Sequence, residues 1–109
     1  MTHSFPSEDT IAAISTPPGP GAVGMVRITG PASHAIGRNI FTPASGVNGP
    51  YPPRKALFGR AHYPGPAGEA IDLGILCYYD APRTYTGEDM VEITVHGGPL
   101  IVKALLDAS

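Results

Sequence analysis

Two stretches of this chain alternate strictly, and both read as half-buried strands. Over residues 89–96, Val91, Ile93 and Val95 fall on one face, and Met90, Glu92, Thr94 and His96 on the other. Over residues 23–29, Val26 and Ile28 share one face while Met25, Arg27 and Thr29 share the other, because successive side chains on a strand point to opposite sides. Residues 10–15 (TIAAIS) predict a short strand before them. Residues 54–63 and 70–79 predict a hairpin joined by a loop of about five residues that contains glycine. On its second strand Ile71, Leu73, Ile75, Cys77 and Tyr79 form the apolar face.

Two helices complete the pattern. Gly30-Pro31 opens the first, with proline at the first helical position, where it loses no hydrogen bond. Ile36, Ile40 and Phe41 fall on one side of it. Gly97-Gly98-Pro99 leads into the second, which carries Leu100, Ile101, Ala104, Leu105 and Ala108 and meets no stop signal before Ser109. A chain ending within a helix is expected to be part of something longer. Residues 16–24 read as a Gly/Pro loop, and residues 42–53 as a mobile, proline-rich connection.

Composition narrows the class. With 109 residues the chain is one domain, and 42% hydrophobic residues can furnish a core. The 14 glycines and 13 prolines lie between apolar runs, so they mark turns and loops rather than disorder. Net charge is −2, and no basic run exceeds Arg54-Lys55, which argues against strong nucleic-acid binding by this domain. The lone Cys77 excludes an internal disulfide and a cysteine-based zinc site, and it fits a reducing cytoplasm. No apolar run reaches the roughly 20 residues of a membrane span. The start, MTHSFPSED, is not a signal peptide.

Candidate chemistry is sparse. Glu92 sits between Val91 and Ile93 and is either a solvated outward acid or a pocket carboxylate able to take two parallel N–H bonds from a planar heterocycle. Arg27 is the only charge on its strand and is either a snorkelling surface arginine or a donor to carboxylate, carbonyl or phosphate. Glu88 and Asp89 are neighbours in an extended segment and point apart, so they are expected to shape the loop and the strand start rather than act jointly. His96-Gly97-Gly98 offers backbone N–H groups at a helix start, a weak anion signal. Cys77 is expected to be a packed small residue. GxxxxGK[ST] and GxGxxG are both absent, so no P-loop chemistry resides here, and neither catalytic nor metal-ligating residues are assigned.

Two blocks, DTIAAISTPPGPGAVGMVRITGP (9–31) and YTGEDMVEITVHGGP (85–99), resemble the N-terminal domain of the TrmE/MnmE family of tRNA-modification GTPases. The resemblance implies that residues 1–109 form an α+β domain, a small mixed β-sheet in two layers with helices on one face, that binds tetrahydrofolate and dimerises and is short of its C-terminal end. The helical and GTPase domains of the parent, with their GTP, magnesium and potassium, lie outside this chain. It implies a cytoplasmic parent that is a GTP hydrolase. With an FAD-dependent partner, that parent adds an aminomethyl or carboxymethylaminomethyl group to carbon five of the wobble uridine of tRNA. Arg27 and Glu92 match the family's folate-contact positions, for 5-formyl- or 5,10-methylene-tetrahydrofolate. Two departures stand out: Pro20 and Ala22 occupy a loop that usually carries an arginine, and the family's later segment, whose lysine also contacts folate, lies beyond Ser109. The alternatives are a segment of a folate-dependent aminomethyltransferase of the glycine-cleavage type and a structural dimerisation domain with a decayed pocket.

Overall fold

The computed structural model describes residues 9–16, 21–46, 51–65, 67–84 and 86–109. Six strands and two helices run in the order β1 (Ile11–Ile14), β2 (Val23–Thr29), α1 (Ser33–Ile40), β3 (Phe41–Pro43), β4 (Leu57–His62), β5 (Ala70–Tyr79), β6 (Met90–His96) and α2 (Pro99–Ala108). The strands make one sheet ordered β1-β2-β6-β5-β4-β3, antiparallel at every pairing. The α+β class and the two-layer build therefore hold, and the sheet has no parallel pair.

Both helices cover the same face. Val26 and Ile28 of β2, Leu76 and Tyr78 of β5, and Val91, Ile93 and Val95 of β6 form the core with Ile40 of α1 and Val102 and Leu105 of α2. In register, Val26 stands opposite Ile93 and Ile28 opposite Val91, so the two alternating strands lay their apolar faces side by side under the helices. Burial of this kind stabilises by about 25 cal/mol per Å² of apolar surface removed from water. Gly24 continues the row, and a methyl group there would run into Val102 of α2, so the glycine lets the helix lie close to the sheet.

Three expectations are corrected. α1 starts at Ser33, two residues after Pro31, which lies in the preceding turn. It ends at Ile40, and Phe41 has extended backbone and opens β3, so Phe41 is buried from a strand rather than from the helix. The connection over 42–53 is in part regular: β3 pairs with β4, and Tyr51 packs its ring 4.9 Å from that of Tyr78. Most of the expected apolar face of β5 is on the side the helices leave uncovered, whereas Ile71 packs against the core. Gly74, Leu76 and Tyr78 are buried instead, with Leu73 and Ile75 exposed.

Candidate functional site

The uncovered face presents the polar residues of the two central strands. Pairing β1 with β2, β2 with β6 and β6 with β5 sets Ala13, Arg27, Glu92 and Cys77 in one row across the sheet. The next row on one side holds Met25, Thr94 and Ile75, and on the other Thr29, Met90 and Tyr79. Arg27 and Glu92 are thus direct cross-strand partners, a separation of 65 residues closed by register alone.

Arg27 donates from Nε at 2.9 Å and from Nη2 at 2.6 Å, both to Oε2 of Glu92. The side chains retain 28% and 14% of their exposure, so the pair is partly desolvated and remains reachable from solvent. Its neighbours along the row are short, Ala13 beside Arg27 and Cys77 beside Glu92. Tyr79 closes one side. A hydrogen bond with Cys77, burial, the proximity of Cys77 and Glu92, and a further hydrogen bond with Glu92 push its hydroxyl well above the usual tyrosine value. A carboxylate held by a cation and bordered by an aromatic ring suits a flat ligand with N–H donors.

Cys77 is half-buried on this face, opposite Glu92, and is not a packed core residue as its apolar neighbours implied. Glu88 and Asp89 behave as expected of loop residues. Asp89 Oδ1 accepts the N–H of Ala81 at 2.9 Å, its carbonyl accepts that of Gly30, and Thr84 donates to the Glu88 carbonyl. His34, which the sequence did not single out, joins them. Ligand-capable atoms of His34, Asp80 and Asp89 lie within 4.8 Å of one another. His34 Nε2 lies 3.1 Å from the Tyr79 carbonyl, so with Asp89 this group clamps the β5–β6 connection onto α1.

The start of α2 is already occupied in part. The Gly97 N–H donates to Ala22 at 3.4 Å, and the Gly98 carbonyl accepts from Ile101 and Val102. His96 is bound by Asp72, whose Oδ2 accepts the His96 backbone N–H at 2.9 Å and lies 2.8 Å from Nδ1. Burial raises the Asp72 pKa, but the hydrogen bonds from His96 and Leu73 outweigh it and hold the carboxyl below its usual range. Pro20 lies outside the described residues, as does the start of the chain, and Ala22 is exposed beside β2. Among the described residues no helix is long and apolar enough to cross a membrane.

Sheet, helices and paired site define a two-layer α+β module whose polar face is built on its central strands. Residues 10–109 match the family described as the GTP-binding protein TrmE N-terminus. The chain is 46% identical over 99 residues to the tRNA modification GTPase MnmE of Thermotoga maritima, covering 91% of this chain and 20% of that protein. It is 45% identical to its namesakes from Dichelobacter nodosus, over 94% of this chain and 21% of the relative, and Nitrosococcus oceani, over 99% and 23%. The chain belongs to the TrmE N-terminal family and spans about a fifth of the length of these relatives. These matches fall on the first of the families weighed from the sequence, not on the aminomethyltransferases.

Proposed function

We propose that this domain is the folate-binding, dimerising N-terminal module of a tRNA-modification GTPase. Its ligand is a tetrahydrofolate derivative, 5-formyl- or 5,10-methylene-tetrahydrofolate, and Glu92 and Arg27 form the polar part of its site. The parent hydrolyses GTP with magnesium and potassium in a separate domain in the cytoplasm. It acts with an FAD-dependent partner on carbon five of the wobble uridine of tRNA, supplying an aminomethyl or carboxymethylaminomethyl group. The relatives' shared name, tRNA modification GTPase, supports the class of activity.

The observation that carries the folate reading is the Arg27–Glu92 pair at the centre of the uncovered face. The reduced pterin offers an amino group and a ring N–H in one plane, a donor pair that a carboxylate accepts. Arg27 orients Glu92, so the acceptor is in place before the ligand arrives. Dimerisation has its own support in Phe58, Leu73 and Ile75, which leave an apolar area on the same face exposed.

Titration of the protein with 5-formyltetrahydrofolate tests the site. Glu92→Gln replaces half of the acceptor pair with a donor and is expected to weaken binding by at least about tenfold, in line with the cost of a charge-assisted bond. Equal affinity for the variant and the wild type would overturn the assignment of Glu92.

A further inference from the structure

We propose that Tyr79 is a specificity-determining residue of the Glu92 site: its ring is the wall against which the planar pyrimidinone part of the ligand packs. This rests on the folate reading and adds to it the feature that selects a flat heterocycle over any other donor. A carboxylate alone accepts from an ammonium, a guanidinium or an amide equally well. Selection for an aromatic ring needs a second, apolar surface beside it.

Three observations give Tyr79 this place. Register sets Cys77 opposite Glu92 and Tyr79 opposite Met90, so Tyr79 is the diagonal neighbour of Glu92 on the uncovered face. Such neighbours lie about 7–8 Å apart, within reach of an aromatic side chain. The Tyr79 hydroxyl has side-chain hydrogen bonds with Cys77 and Glu92, both members of the Arg27–Glu92 row. Ala13 and Cys77 within that row are small, and the other residues of the two rows that border it, Met25, Thr94, Ile75, Thr29 and Met90, include no aromatic ring. Tyr79 is half-buried, which leaves part of the ring free for a partner. Tyrosine also has only two side-chain torsions to freeze, so it makes a wall at low entropic cost.

Binding of 5-formyltetrahydrofolate to the wild type, Tyr79→Phe and Tyr79→Leu separates ring from hydroxyl. Tyr79→Phe is expected to bind within about threefold of wild type, and Tyr79→Leu about tenfold more weakly, the worth of one stacked aromatic pair. The chain has no tryptophan, so Tyr79→Trp installs a single emitter at the proposed wall. Its fluorescence is expected to be quenched at saturating ligand. Phe58→Trp, on the same face but on the far side of β5, is expected to keep its emission. Wild-type affinity in Tyr79→Leu, or unchanged emission in Tyr79→Trp that binds ligand, overturns the role of Tyr79 and leaves the folate reading standing. A wild-type protein that binds no 5-formyltetrahydrofolate overturns the folate reading itself and, with it, the ligand named here.

Discussion

Arg27 and Glu92 face each other across β2 and β6, and both donors that reach the carboxylate end on one oxygen, Oε2. A fork-to-fork pair would have used both oxygens. The single-oxygen geometry leaves Oε1 outside the guanidinium's grasp, while the ion pair ties β2 to β6. On the proposed folate reading the pair has a recognition role beside its structural one, and the two can be measured apart.

The structural part follows from partial burial. Removing either partner leaves the other charge partly desolvated, so Arg27→Met and Glu92→Gln are each expected to cost about 1–3 kcal/mol. The double variant is expected to lose less than the sum, with a coupling of about 1 kcal/mol. Urea denaturation of the four proteins of the cycle measures this. Strict additivity would show that the pair contributes nothing to stability.

How much of this was legible in the sequence depends on what sets each feature. Alternation fixed the faces of β2 and β6 correctly, because there one face is apolar and the other carries Arg27 or Glu92. On β5 both faces hold apolar residues, so periodicity could not say which one the helices would cover. The close packing of Gly74 beneath β6 decides it, and a glycine carries no hydrophobic signal. β3 escaped notice because three residues including a proline make a strand only through pairing with β4. Arg27 and Glu92 were visible as residue types, but that they meet is a fact of register. Tyr79 was missed for the same reason: its relation to Glu92 is diagonal across two strands.

Ser33 supplies a test of a buried polar group. Its Oγ is fully buried in the first turn of α1 and has no hydrogen-bond partner among the described residues. A hydroxyl in that state keeps its desolvation cost without a compensating bond. Ser33→Ala is therefore expected to be neutral or to stabilise by up to about 1 kcal/mol, against the usual trend for buried positions. A urea midpoint that falls by more than that equivalent would mean the hydroxyl has a partner.

The two glycines before α2 are expected to differ sharply. A methyl group on Gly97 would drive into the backbone oxygens of Gly21 and Val23, which cannot give way without moving the loop that leads into β2. On Gly98 the nearest atom is Ile101 Cδ1 at 3.7 Å, an ordinary contact. Its φ of −62° and ψ of 132° suit any residue. Gly97→Ala is expected to cost about 2 kcal/mol or more, and Gly98→Ala less than about 0.5 kcal/mol. Thermal melts of the pair check the contrast.

The dimer reading concerns β4 and β5. Phe58 stands opposite Ile75 in register and is 58% exposed, with Leu73 at 56% nearby on the same face. If this area is the contact between two copies, Phe58→Lys with Leu73→Lys converts a dimer to a monomer while the melting temperature per folded protomer changes little. Surface substitutions of this kind shift stability by no more than about 0.5 kcal/mol in themselves. Light scattering on eluting protein gives the mass, and a dimer that survives both lysines must be held elsewhere.

Asp72 gives the domain an acid-sensitive joint. Its carboxylate accepts the His96 backbone N–H and approaches Nδ1 of the same residue, tying β5 to the end of β6 just before the Gly97-Gly98 turn. Although burial works the other way, these bonds leave the folded pKa below the ordinary value of 3.8. A group whose folded pKa is depressed contributes stability that is fully present above its unfolded value and is lost as pH falls through the folded one. The stability gap between wild type and Asp72→Asn is thus expected to be flat from neutral pH down to about pH 5 and to shrink below about pH 4. Urea midpoints of the two proteins across that range measure it directly. A gap that stays constant down to pH 2 would show that the contribution of Asp72 lies in its shape and hydrogen bonding and not in its charge.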